Sequence, residues 1–542
     1  MSGAITIDEA SGLPEKQKAA SPAPAAPQTD LPTTLDRGKL AVFAVMVVGM
    51  FMAILDIQIV AASLSDIQAG LAASPEQISW IQTSYLIAEV MVIPASGYLS
   101  RALSTRVLFT ISVGGFTLAS LGCALAWNIE SLIVMRAIQG FVGGATIPTV
   151  FATAFTAFPR KYQGPISAAI GLIVTLAPTI GPTLGGYISE NLSWHWLFLV
   201  NLSPGALVAM TAWFYADFDK PDLSLLRRLD VRAFFLMALS LGLAEYVLEE
   251  GPDDDWFQDG GITAMTIVSL FALAWFIRRC LRSTNPLVDL NAYRNLNFTF
   301  GSIATLAMGV VLFGLVYILP LFLARVRGYN SLQIGETLFI TGAAMFLTAP
   351  ASALLSRKFD PRFVAAIGFT LAGVSTYALS KVTAEWGYWQ LFWPQIARGS
   401  GIMLAMQPIN LITLGTLTPL QVRGASGLYN LTRNLGGAFG LAMINTVLTE
   451  RTRYHSRVLL DHIDMGRALV AERIDGLTSL MAVRGVADPA GAAMKTMSLI
   501  VEREASVLAF ADCLRIIFWI SMAAAVILLF VRPPKAAVGG GH

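Results

Sequence analysis

From Leu40 onward the chain alternates between long apolar runs and short polar connections. The runs fall at about 40–62, 77–99, 107–127, 131–156, 164–188, 195–216, 231–248, 261–279, 298–323, 332–355, 362–380, 388–415, 424–448 and 511–531. Runs of roughly 18 to 25 residues are long enough, as helices, to cross a ~30 Å hydrocarbon core. The pattern therefore predicts an all-α integral membrane protein with about fourteen transmembrane helices. Ahead of the first run, residues 1–38 are rich in Ala, Pro and polar residues (SPAPAAPQTD) and lack the layout of a cleaved signal. They are expected to form a disordered cytoplasmic tail.

Orientation follows from where Lys and Arg sit in the short loops. With the N-terminus inside, basic residues such as Arg37, Lys39, Arg101, Arg106, Arg160, Lys161, Arg278, Arg279, Arg357, Lys358, Arg423 and Arg532 gather on the cytoplasmic side. The opposite short loops hold only Arg325, Arg327 and Lys381, and collect acids such as Asp66, Glu130, Glu190 and the run Glu249 to Asp255. Both termini are then cytoplasmic. The runs divide into a six-helix bundle at 39–217, an inserted helix pair at 218–285, five helices of a second bundle at 286–449, and a last helix with a cytoplasmic tail at 511–542. The segment 450–510 is left as a large outward loop. It mixes charges with apolar residues at helical spacing (Val458, Leu459, Ile463), which fits either amphipathic helices on the membrane surface or a docking element for a second protein.

Composition excludes several function classes. Hydrophobic residues make up 55% and charged ones 13% of 542 residues, a balance wrong for a solvated surface. A net charge of +2 gives no reason to expect nucleic acid as a partner. Cys123, Cys280 and Cys513 are widely spaced, and none of the four histidines sits in an HExxH arrangement, so neither a disulfide framework nor a metal site is expected. No GxxxxGK[ST] loop occurs, so a transporter would draw on the proton motive force, without a cofactor. A membrane enzyme would need a nucleophile, a base and an orienting group at one interface, and the scarcity of histidine argues against it.

Charged groups inside a bilayer are costly, roughly 2.5–3.5 kcal/mol each, and mark function until paired. Asp56, Glu89, Arg136 and Arg433 fall well within runs, with Arg398 and Glu245 less deep. Glu89 has no opposite charge one turn away on its own helix, which suits a carboxyl that exchanges a proton between the two sides. Asp56 is a second candidate, or a bridge to a neighbouring helix. Arg136 keeps its charge and is suited to holding a carboxylate. A cavity between the bundles would include Gln58, Tyr85, Met91, Phe313, Tyr317, Met406, Asn410, Asn430 and Arg433, although core packing serves equally for any one of them. In the fifth run, GPTLGG places Gly181, Pro182, Gly185 and Gly186 where they allow close helix approach and a bend.

These motifs resemble those of the fourteen-helix drug:proton antiporters of the major facilitator superfamily, in particular the EmrB-type branch. LDIQIVAASLSDI looks like that family's acid-bearing first helix, with Asp56 at the acid. RAIQGFVGGATIP resembles its Arg-xx-Gln-Gly motif, which implies a proton-transfer role for Arg136 and packing roles for Gln139 and Gly140. GPTLGG matches the motif associated with antiporters, while EEGPDDDWF, NLTRNLGGAFG and the terminal VRPP also look EmrB-like. The loop after the second run, GYLSRALSTR, keeps Gly97 but departs from the family by placing Arg101, followed by Arg106, where the gating acid is expected. Some other pair must then lock the inner gate. The resemblance implies a multidrug efflux permease of the bacterial inner membrane. Its fold would be two six-helix bundles plus two extra helices, working by alternating access. It also implies a periplasmic EmrA-like adaptor and an outer-membrane channel, and it carries an amphipathic small molecule as substrate. A dedicated exporter of one metabolite or siderophore would share the fold and the coupling.

Overall fold

The computed structural model of the protein describes residues 34–283, 286–463 and 467–532. The expected tail thus lies almost wholly outside the described residues. Among them there is no strand. The first span is α1 (Arg37–Ala62), followed by the short α2 (Leu64–Leu71). The second is α3 (Pro75–Val92), carried through a 3-10 turn at Ile93–Ala95 into α4 (Ser96–Leu103). Then come α5 (Thr105–Ala124), the broken pair α6 (Ile129–Gly143) and α7 (Thr146–Thr156), and α8 (Arg160–Asn191). The sixth span is α9 (Trp196–Leu199) with α10 (Leu202–Tyr215). After α11 (Ser224–Arg227), α12 (Val231–Glu250) and α13 (Gly260–Arg282) form the inserted pair. The second half comprises α14 (Leu296–Arg325), α15 (Ser331–Lys358), α16 (Pro361–Leu379), α17 (Tyr388–Thr413), α18 (Pro419–Leu460), α19 (Ala468–Val483) and α20 (Pro489–Leu529).

Among the described residues, eleven helical stretches are long and apolar enough to cross a membrane. The other three long helices at expected spans are α8, α17 and α18. They carry the Gly/Pro motif of the fifth span, buried Gln395, Arg398, Gln407 and Asn410, and buried Asn430 and Arg433. Hydropathy is diluted where helices face the protein interior rather than lipid. Besides the one between α9 and α10, two breaks inside spans follow from proline. Pro94 and Pro148 cannot donate to the carbonyls of Val90 and Gly144, and the helices interrupt at Ile93–Ala95 and at Gly144–Ala145.

Glycines set the closest approaches. A Cβ on Gly185 would lie 2.7 Å from the Ile59 carbonyl, and one on Gly181 would overlap the Gln58 side chain, so the GPTLGG segment of α8 is pressed against α1. Gly140 of α6 sits in the same way on the Tyr85 carbonyl of α3. In the second half Gly436 rests on Leu306 O and Gly309 on Arg433 O, joining α18 to α14. We call the face where α1 begins proximal and the face where it ends distal.

The inserted pair is asymmetric. Ser269 Oγ donates to Ser240 O at 2.8 Å between α13 and α12. α13 turns Leu270, Phe271 and Trp275 outward, whereas α12 packs on α3 and reaches α18. The segment 450–510 is mostly helix, and much of it continues the spans. α18 runs on to Leu460 and α20 begins at Pro489, with α19 against α20. At about 1.5 Å per residue, the 42 residues of α18 extend ~63 Å, twice a hydrocarbon core. The helix therefore stands out of the bilayer instead of turning along its surface. Asp512 of α20 fastens it, accepting from Arg451 at 2.7 Å and lying 2.8 Å from His455 Nε2.

Candidate transport site

Asp56 and Arg136 meet inside the first bundle. Arg136 Nη1 lies 2.6 Å from Asp56 Oδ2, and neither side chain is exposed. Asn201 Nδ2 donates to Asp56 Oδ1 at 2.6 Å, and Gln139 Nε2 does so at 3.4 Å. Gln139 Oε1 accepts from Arg136 at 2.7 Å, and Arg136 Nε reaches the Ile81 carbonyl at 3.3 Å. The guanidinium also sits 4.3 Å from the centre of the Tyr85 ring. Three helices, α1, α3 and α6, and the start of α10 converge on this pair. Arg136 Nη2 is left without a partner, but the other hydrogen bonds hold the buried pair in place, and neither residue borders the cavity between the halves.

Glu89 is placed differently. It is buried at 4% exposure, yet its carboxyl makes no hydrogen bond or salt bridge among the described residues. Its side chain borders a cavity of about 120 Å³ lying between the two halves. Gln58 of α1 and Gln82 of α3 share that wall, Glu245 and Glu249 of α12 join it, and Phe313 and Arg433 face it from the second half. Arg433 is 2% exposed, with Nε and Nη1 unpartnered, and lies 5.4 Å from the Phe151 ring centre. A second chamber of about 410 Å³ shares Gln58, Gln82, Glu249 and Phe313, and adds Tyr317, Pro320 and Ala324 near the distal end of α14. The cavity therefore widens toward the distal face.

The proximal face is shut. Gly97 of α4 lies directly against the Arg423 carbonyl of α18, where any Cβ would clash, and Gly427 rests 2.8 Å, by the same measure, from Ile93 O. Arg423 Nη1 is 2.9 Å from Asp219 Oδ2. Arg357 Nη2 donates to Lys161 O at 3.0 Å, and Gln407 Nε2 to Gly164 O at 3.2 Å, further joining the halves.

Of the residues expected to line a cavity, Gln58, Phe313, Tyr317 and Arg433 do so. The others are held in packing. Tyr85 lies under Arg136, the Met91 methyl fills the space left by Gly242, and Met406 packs near Gly171. Asn410 Oδ1 accepts from the Tyr429 hydroxyl, and Asn430 bonds back to Ser426 O in its own helix. Arg101 and Arg106 lie against the rings of Tyr98 and Trp213, so neither bridges the halves. The sequence reading missed Gln82, Glu249, Asn201 and Asp219 as site residues. Asp219 had no signal of its own, since Asp217 and Asp222 stand beside it in the same connection.

The profile of the Major Facilitator Superfamily matches residues 46–441. The colistin resistance protein EmrB of Acinetobacter baumannii is 42% identical over 439 residues, covering 81% of this chain and 86% of that protein. The multidrug export protein EmrB of Escherichia coli is 29% identical over 503 residues, 91% of this chain and 95% of its own. Among solved structures, the human organic anion transporter TETRAN superposes with a TM-score of 0.57 at 14% identity. It covers 90% of this chain and 100% of its own, and speaks for the fold alone. With the two-bundle packing and the central cavity, these likenesses show that the chain belongs to the Major Facilitator Superfamily and, within it, to the EmrB-type drug:proton antiporters, multi-pass membrane transporters and not enzymes.

Proposed function

We propose that this transporter expels amphipathic small molecules from the cytoplasm across the inner membrane in exchange for protons, and that Glu89 is the proton-carrying group. The observation that carries this reading is a buried carboxyl without a salt-bridge partner on one half of the cavity wall, facing an unpartnered arginine on the other. An ionised Glu89 and Arg433 attract each other across the gap, and a proton on Glu89 removes that attraction. Protonation thus changes the relative free energy of the arrangements of the two halves, which is what coupling requires. Asp56 and Arg136 act as a fixed brace that positions α1, α3 and α6. With the proximal face cytoplasmic and both termini inside, the arrangement described is open to the outside, and Asp219–Arg423 takes the part of the missing gating acid. The distal ends of α18 and α20, with α19, stand where a periplasmic adaptor leading to an outer-membrane channel would dock.

The test is Glu89→Gln in proteoliposomes under an imposed pH gradient. Proton-driven uptake of an efflux dye should be abolished, while gradient-independent exchange persists and the protein still elutes as a single species. Full proton-driven transport by that variant would remove the assignment. Shortening the segment 461–488 should spare transport by the purified protein and abolish co-purification of an adaptor.

A further inference from the structure

The inserted pair lies outside the two-bundle plan, yet α12 presents acids to the cavity. Its sequence is apolar through most of its length (VRAFFLMALSLGLAEYVLEE) until Glu245. That residue is 6% exposed, borders the cavity and has Oε2 without a partner. Its height is fixed by packing on α3. Gly242 admits the Met91 methyl, and Thr83 Oγ1 lies 3.5 Å from Glu250 Oε1. The two helices are antiparallel. From the first contact, Glu89 lies two residues toward the distal face on α3 and Glu245 three on α12, so at about 1.5 Å per residue they sit at nearly one level.

The charged groups facing this level are Glu89 from α3, Glu245 from α12 and Arg433 from α18, with Glu249 one turn nearer the distal chamber; Arg136 of α6, which also acts on Glu89, is already matched by Asp56 of α1. Arg433 keeps its charge and balances one carboxylate. The second carboxylate leaves one negative charge uncompensated, and an isolated charge in such a setting is costly. It is neutralised either by a proton or by a cationic guest.

We propose that α12 is part of the transport site. Glu245 and Glu89 form a two-carboxylate subsite, balanced by Arg433, in which the cationic group of an amphipathic organic cation replaces one proton. On binding, one carboxyl O–H ionises and its proton leaves to water, while the cation takes its place beside the carboxylate. The net charge of the site is the same before and after. Phe313 of α14, facing the two carboxyls from the second half, lends the cavity an aromatic ring for the cation to lie against. This inference rests on the proton-carrying role given to Glu89.

Equilibrium binding of tetraphenylphosphonium to the full-length protein in detergent, followed from pH 5 to 8, tests it. For the native protein, affinity should fall about tenfold per pH unit on the acid side, as one displaced proton requires. Glu245→Gln should weaken binding at pH 7.5 at least ~10-fold and flatten the pH dependence, since Arg433 then balances Glu89 alone. Glu245→Ala should do the same, and Glu245→Asp should restore both. Native-like affinity and slope in Glu245→Gln, or no binding of the cation by the native protein at any pH, would overturn the proposal. Glu89→Gln in the same assay separates the two readings. A flat response there beside a native response in Glu245→Gln removes the α12 subsite alone. A native response in both removes the role of Glu89 as well.

Discussion

Asp219 holds Arg423 at 2.9 Å while accepting the Thr105 amide at 2.8 Å and its hydroxyl at 3.0 Å. One carboxylate thus joins the first turn of α5 in one half to the start of α18 in the other. Hydrogen bonds to charged groups contribute about 1.5–3 kcal/mol. Asp219→Asn should therefore shift the population toward a proximal-open state on the order of tenfold or more. Spin labels at Arg106 and Lys358, read by pulsed dipolar spectroscopy, would show a longer distance component. Exchanging the pair, Asp219→Arg with Arg423→Asp, should restore closure only in part, because an arginine cannot accept from Thr105. Unaltered distances in Asp219→Asn would exclude the clasp.

Removing Arg136 leaves Asp56 buried with only the amides of Asn201 and Gln139. Breaking a buried pair in this way costs roughly 3–5 kcal/mol, so Arg136→Ala should lower the thermal midpoint in detergent markedly. The double variant with Asp56→Ala should lose less than the sum of the two singles, since neither charge is then stranded.

Asp230, which caps α12, ties it to α13 through Arg279 at 2.5 Å. Burial pushes its carboxyl up, but the Arg279 guanidinium and the Ala233 amide outweigh burial and hold it below the ordinary carboxylate range. A carboxyl held low when folded adds stability above its unfolded value of about 3.9, and loses it as pH falls through the lower folded value. Thermal midpoints of the native protein and Asp230→Asn should differ at pH 7 and pH 5 and converge below about pH 4.

Asp512 receives Arg451, His455 and Arg515, the last at 3.0 Å, where α18 and α20 leave the bundle. Asp512→Ala should raise hydrogen exchange in 451–460 and 500–510 without changing binding in the central cavity. Exchange confined to α19 would show that the helices are held by other contacts.

The apolar runs made the helices legible because lipid imposes one length on every span, and most boundaries fall within a few residues. They failed where helices continue beyond the lipid. Residues after 448 are charged, so hydropathy stops while the helix of α18 goes on to Leu460. Asp56, Glu89, Arg136 and Arg433 stood out by their expense in an apolar run, but expense alone does not say who meets whom. The pairing of Asp56 with Arg136 spans 80 residues, and no helical periodicity reports a contact between helices. Gln82 and Asn201 drew no notice because neutral amides are common in membrane helices. Met91 and Met406 were expected at the cavity for their chemistry, and the glycines opposite them, Gly242 and Gly171, are what draw them into packing.

α18 runs as a single unbroken helix. It bears Arg423 at the proximal clasp, Arg433 at the cavity and Arg451 at the distal fastening. No proline lies within its interior to serve as a joint. A tilt of about 10° around its middle would carry each end by ~5 Å in opposite directions, given its ~63 Å length. Pushing on the exposed distal end is then mechanically the same act as prising the inner seal, and whatever grips that end has a hand on both.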